Sequence, residues 1–96
     1  MPLELAALPD EAWQRVRELV SKIPRTHIVT ETHNYIHAEC RSFLLGFVDD
    51  LELHLRPAEN IIAVRSASRL GYSDLGVNRR RVENLRAALS NRGVLK

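Results

Sequence analysis

Arginine and serine side chains are concentrated in one short part of the sequence. Between Arg65 and Arg81 the chain has five arginines, three serines, two glycines and one aspartate. Guanidinium groups bind phosphates and carboxylates through paired hydrogen bonds, and hydroxyl and backbone N–H groups add further donors. This composition predicts a surface for an anionic small molecule or an acidic protein. The predicted ligand-binding residues are Asp49, Arg65, Ser66, Ser68, Arg69, Ser73, Asp74, Asn78, Arg79 and Arg80.

The same arginines have an alternative, purely structural explanation. Alternation along its strand places Asp49 on the core-facing side, among leucines. An ionised carboxylate in that position is costly unless it is paired and hydrogen-bonded. We therefore expect an arginine of the 65–81 segment to be its partner. Internal pairing is the stronger explanation for any single arginine, but not for all five together.

A second group of residues favours a different class of function. His37, Glu39, Asp50 and His54 are predicted to share the open face of a sheet, where they would suit metal-dependent or acid/base catalysis. Solvated cross-strand charge pairs are the simpler interpretation, and we favour a non-catalytic module. We predict neither a metal nor a cofactor. Weak nucleic-acid binding is a further alternative, disfavoured because the chain has few aromatic residues for stacking.

Length and charge limit the organisation of the chain. Its 96 residues suit a single domain, 1–96, and the net charge is +2. Residues 1–64 carry −4 and residues 65–96 carry +6, which is consistent with either internal neutralisation or an anionic partner. The lone Cys40 cannot form an internal disulfide. We see no membrane span and no signal peptide, and we expect a cytoplasmic protein.

The hydrophobic pattern predicts an α+β fold with two layers. A helix is expected from Asp10, acting as its cap, to just before Pro24, and a last helix from Val77 or Asn78 to Asn91. Period-two alternation predicts four antiparallel strands between them, at residues 27–32, 35–41, 47–55 and 60–66. Both helices should cover the sheet face that carries Leu51, Leu53 and Leu55.

Three motifs of this chain resemble those of an uncharacterised family. They are FVDD at 47–50, VRSASR at 64–69 and GYSDLGVNRRR at 71–81, and they resemble the family known as domain of unknown function 1499. The resemblance extends over roughly residues 25–89. It implies no chemistry, since the family has no established activity. The characteristic positions that it implies are Asp49, Asp50, Arg65, Ser66, Ser68, Arg69, Ser73, Asp74, Asn78 and Arg79.

Overall fold

A computed structural model of the chain describes residues 2–42, 46–69 and 76–96. In these ranges two helices accompany a single antiparallel sheet of five strands, in the order β1-β5-β4-β3-β2. The elements are β1 (Leu3–Glu4), α1 (Pro9–Ser21), β2 (Thr26–Glu31), β3 (Tyr35–Arg41), β4 (Val48–Arg56), β5 (Ile61–Ser68) and α2 (Val77–Asn91). The helices lie on one face of the sheet, so the predicted two-layer α+β class is confirmed.

The predicted number of strands, four, was one too few. The additional strand, β1, pairs with β5 through Leu3 opposite Ile62 and Glu4 opposite Ile61. Two residues are too short a segment for alternation to be recognised. Leu3 of this strand and the following Leu5 are completely shielded from solvent, so this part of the chain contributes to the core.

Alternation in the central strands sorts side chains between core and solvent. Alternate residues of β3 and β4 are buried, while those between them are partly exposed. Leu51 and Leu53 are completely buried, as is Ile62 of β5. Complete burial of such a side chain stabilises the fold by roughly 1.5–3 kcal/mol. This face therefore provides the core beneath the helices, as predicted.

The first helix begins differently from the prediction. It starts at Pro9 with Leu8 in the capping position, and no side chain caps it. Asp10 instead lies in the first turn, where its charge complements the helix dipole. Proline is well tolerated at the first helical position, because its missing N–H has no intrahelical acceptor there. Trp13 is 8% exposed and belongs to the core, as expected.

The second helix has the predicted bounds. The residues that follow it pair with the N-terminal segment of the chain. Gly93 has a φ of 73°, and the N–H of Val94 donates to the carbonyl of Leu89 at 3.0 Å, which is a Schellman ending. After this turn, Leu95 forms a bridge with Leu5. The N–H of Lys96 donates to the carbonyl of Glu4 at 3.0 Å. The last helix is thereby anchored beside β1.

Candidate functional site

A network of polar side chains joins the sheet to the start of α2. We call Asp49, Ser66, Ser68, Asn78 and Arg81 the buried polar network. Register places Asp49 directly opposite Ser68 on neighbouring strands. These residues continue the core face at the end where leucine gives way to polar side chains. Asn78 and Arg81 come from the first turns of the helix above.

Hydrogen bonds connect all five members of the buried polar network. Ser68 Oγ donates to Asp49 Oδ1 at 2.9 Å, and Asn78 Nδ2 donates to Ser68 Oγ at 3.2 Å. Ser66 Oγ donates to Asn78 Oδ1 at 2.6 Å. Arg81 completes the network from its two terminal nitrogens. One donates to Ser66 Oγ at 3.0 Å and Asn78 Oδ1 at 2.6 Å, and the other to Asp49 Oδ2 at 3.1 Å.

The buried polar network has an evident structural role. The side chains of Arg81 and Asp49 are only 14% and 11% exposed, so each charge depends on the other for compensation. Among the described residues, no buried side-chain polar atom lacks a hydrogen-bond partner. The expected arginine partner of Asp49 is therefore Arg81, which the predicted site did not include. Four predicted site residues serve to fix the start of α2 on the sheet.

A second polar group lies on the opposite face of the sheet. We call His37, Glu39, Asp50 and Arg69 the open-face cluster. Arg69 binds Asp50 with two parallel hydrogen bonds of 2.9 Å, from Nε and from a terminal nitrogen. That terminal nitrogen also reaches Glu39 at 2.5 Å. His37 Nε2 lies 2.7 Å from Asp50 Oδ1.

Arg69 determines the protonation of this cluster. Its hydrogen bonds are the main cause that lowers the pKa of Asp50 to about 2, and the hydrogen bond from His37 contributes to the same effect. The bond from Arg69 also lowers the pKa of Glu39. In return, the two carboxylates raise the pKa of Arg69. Both acids are thus ionised and already engaged at neutral pH.

The catalytic alternative required His37, Glu39, Asp50 and His54 in one group. The first three do come together, but His54 contacts Tyr35 instead, with ring centroids 6.5 Å apart in an edge-on arrangement. Within the described ranges, no three His, Cys, Asp or Glu residues are placed to hold a metal ion. The geometry thus supports a charge cluster on a solvated face.

A cleft opens beside α2, on the helix side of the sheet. Its volume is about 490 Å³, and it lies between the end of α1, the start of β2, the end of β3 and the first three turns of α2. We call it the arginine cleft. Its lining residues are Leu19, Ile23, Pro24, Arg25, Thr26, Cys40, Arg41, Val77, Arg80, Arg81, Asn84, Leu85 and Ala88.

The described residues that line the arginine cleft carry charge of a single sign. Four arginines and no carboxylate are found among the described residues that line it. Pairing of β2 with β3 brings two of them together, since the N–H of Arg41 donates to the carbonyl of Arg25 at 2.9 Å. Arg81 approaches from the helix, where its guanidinium is oriented by Asp49. Outside the lining, Glu39 comes within 3.9 Å of Arg41.

The predicted site residues are therefore divided among several places. Arg80 lines the cleft, and Arg69 belongs to the open-face cluster. Arg65 lies 3.8 Å from Glu52 on the open face. Arg79 is exposed and forms no ion pair with any residue in the described ranges. Ser73 and Asp74 lie outside the described residues.

Sequence reasoning missed Arg25, Arg41 and Arg81 as cleft residues. The first two lie 40 or more positions away from Arg81 along the chain, so composition within one segment could not find them. A hairpin register that pairs Thr26 with Cys40 would have placed Arg25 beside Arg41. A β-bulge between Ile28 and Thr30 hides this register, so the sequence offered no clear signal.

Comparison with known proteins agrees with the motif resemblance. A family model described as "Protein of unknown function (DUF1499)" matches residues 1–89, which extends the similarity to the first helix and β1. No curated protein and no solved structure matches the chain. In the described part of the chain, neither helix has the length and apolar character needed to cross a membrane. The chain therefore belongs to the DUF1499 family, whose function is unknown.

Proposed function

We propose that this protein is a non-catalytic module that binds an anionic ligand in the arginine cleft. The observation that carries the proposal is the lining itself, which includes four arginine residues and no carboxylate among its described members. A bound anion would form charge-assisted hydrogen bonds with arginine side chains of the cleft.

The shape of the cleft favours a small molecule over a protein surface. Its volume of about 490 Å³ lies within the range of roughly 300–1,000 Å³ that is usual for small-molecule sites. Acidic proteins more often meet flat basic patches. The cleft is instead bounded on several sides by α1, the β2–β3 hairpin and α2. A small molecule that carries a phosphate or carboxylate group fits both its charge and its dimensions.

One arginine side chain of the cleft, that of Arg81, is already held in a fixed orientation. Arg81 makes three hydrogen bonds to Asp49, Ser66 and Asn78, so its side chain is fixed without a ligand. A fixed guanidinium loses less conformational entropy on binding than a mobile one. In this proposal the buried polar network supports the site, and Arg41 and Arg80 contact the anion.

Anion titration followed by NMR tests the proposal. Phosphate, sulfate and acetate are added at low salt to ¹⁵N-labelled protein, and backbone and arginine Nε–H signals are followed. We expect saturable shifts at Thr26, Arg41 and Arg80. Replacing one charge-assisted contact in Arg80→Gln should weaken phosphate binding roughly tenfold.

Arg79→Gln is the matched control for this titration. It removes the same charge from the neighbouring position, outside the cleft lining. We expect it to bind phosphate within about twofold of the unmodified protein, because exposed charges are largely screened by water. Equal losses in the Arg79 and Arg80 variants would show that only net charge matters. No shift at millimolar anion would refute the proposed function.

A further inference from the structure

We infer that the ligand of the arginine cleft is an amphipathic anion, with a carboxylate or phosphate monoester on a medium-length alkyl or aryl body. This inference rests on the proposed function and specifies its ligand class. It depends on a second property of the lining, which is that apolar side chains outnumber the cationic ones. The apolar members are Leu19, Ile23, Pro24, Cys40, Val77, Leu85 and Ala88.

Several of these apolar side chains are only partly covered by the fold. Leu19 and Ile23 pack against the core from the end of α1 but remain accessible from the cleft. Val77 is 41% exposed at the start of α2. Water in contact with this surface would be released by an apolar ligand group, which gives binding a hydrophobic contribution in addition to the ionic one.

After Val77, the charged and apolar lining residues of α2 occupy successive turns. Arg80 and Arg81 lie in its first turns, while Leu85 and Ala88 lie one to two turns further along. At 1.5 Å per residue, eight positions from Arg80 to Ala88 correspond to about 12 Å. A ligand lying along the helix would thus place its anionic group among the arginines and its apolar body beside Ala88.

Arginine and apolar residues also line the cleft opposite α2. Arg25 and Arg41 lie at the end of the β2–β3 hairpin, Leu19 lies in the last turn of α1, and Ile23 follows that helix. Both residue types are therefore contributed from both sides of the cleft. A free inorganic anion would use only the arginines, and a neutral hydrocarbon only the apolar residues.

A homologous series of straight-chain carboxylates tests the inference. Acetate, butanoate, hexanoate and octanoate are titrated by NMR below their aggregation concentrations, with octanol as the neutral counterpart of octanoate. Each methylene buried in the cleft should tighten binding roughly fourfold. The increase should stop once the cleft is filled. Octanol should bind more weakly than octanoate by at least tenfold, because it lacks the charged group.

Two variants of α2 locate the apolar body. Ala88→Trp fills the apolar end of the cleft and should abolish the dependence on chain length while retaining binding at the level of acetate. Ala87→Trp adds the same side chain at the adjacent exposed position and should leave the whole series unchanged. If the Ala88→Trp protein does not fold, Ala88→Leu provides a smaller obstruction and should reduce octanoate binding relative to hexanoate.

Each outcome distinguishes the inference from the proposed function. Equal affinity for acetate and octanoate would overturn the amphipathic ligand but leave the anion site in place. Octanol binding as tightly as octanoate would overturn both, since charge would then contribute nothing. Failure of all carboxylates and of phosphate would also overturn both. Vesicles of anionic phospholipid form a final arm, and capture by vesicles without binding of monomeric octanoate would assign the site to a membrane surface instead.

Discussion

Substitution of Arg81 by methionine should destabilise the domain strongly. The change removes the three hydrogen bonds that Arg81 donates to Asp49, Ser66 and Asn78. Asp49 would keep only the hydroxyl of Ser68 as a side-chain donor among the described residues. The carboxylate, 11% exposed in its side chain, would then be a buried charge without a counterion.

The expected loss of unfolding free energy in Arg81→Met follows from the burial of this ion pair. Exposed ion pairs contribute about 0.2–1 kcal/mol. Breaking a buried pair by removing one partner costs about 3–5 kcal/mol. With both Arg81 and Asp49 less than 15% exposed, the larger range applies. A loss of 3 kcal/mol in a domain of this length corresponds to a decrease in Tm of about 12 °C or more.

Urea denaturation followed by circular dichroism measures the loss of unfolding free energy. Arg79→Met is the control, because Arg79 has no ion pair in the described ranges, and it should change stability by less than about 0.5 kcal/mol. Adding Asp49→Leu to Arg81→Met should restore most of the loss, since no charge remains buried. A cost below about 1 kcal/mol for Arg81→Met, or no recovery in the double variant, would refute a buried and coupled pair.

Substitutions at three further positions test other parts of the structure. Arg69→Gln should raise the pKa of Asp50, which Arg69 lowers to about 2. The ionised Asp50 stabilises the folded protein through Arg69. This stabilisation is complete above the ordinary carboxyl pKa near 4 and is lost as pH falls towards 2. The variant should therefore be less stable than the unmodified protein at pH 7, and the difference should disappear as pH falls through about 2 in urea titrations. A difference that is independent of pH would contradict this. Asn60 has a φ of 57° and donates from Nδ2 to the carbonyl of Leu5 at 2.9 Å. Asn60→Gly should lose about 1 kcal/mol through the hydrogen bond alone, and Asn60→Ala should lose about 1 kcal/mol more through backbone strain. Equal thermal stability of the Gly and Ala variants would refute the strain argument. Arg65→Ala should change unfolding free energy by less than about 1 kcal/mol, since its pair with an acid at 3.8 Å is largely exposed. Unfolding of that variant would assign Arg65 a structural role.

Elements with clear periodicity were predictable from the sequence. The alternation of β3 predicted its bounds, Tyr35–Arg41, because one face of the strand is buried. A register shift of one residue would turn the buried side chains towards solvent. The bounds of α2 followed from its apolar stripe and from Gly93. The short strand β1 was not predictable, since its burial depends on pairing with a distant strand and with Leu95.

The sequence was sufficient to predict which of three consecutive arginines, 79 to 81, pairs with Asp49. Consecutive helical residues point about 100° apart, so only one of the three can share the buried face of α2. Leu85 and Leu89 define that face. Arg81 lies four residues before Leu85, and Asn78 lies seven before it, so both share this face. Applying that spacing would have selected Arg81 over its neighbours as the partner of Asp49.

The cleft itself was beyond sequence reasoning for a physical reason. It forms where α1, the β2–β3 hairpin and α2 meet, and its position depends on the tertiary packing of these elements. A β-bulge between Ile28 and Thr30 also shifts the hairpin register, so that pairing counted from the His33-Asn34 turn would misplace Arg25 by one residue. Charge composition marked one arginine-rich segment. It could not show that Arg25 and Arg41 also line the cleft.

A crystal structure of the protein with octanoate is the most direct test of the central claim. We expect the carboxylate within hydrogen-bond distance of at least two of the cleft arginines, with the alkyl chain extending along α2 towards Ala88. Octanoate bound at another surface, or an empty arginine cleft at saturating ligand, would contradict the account.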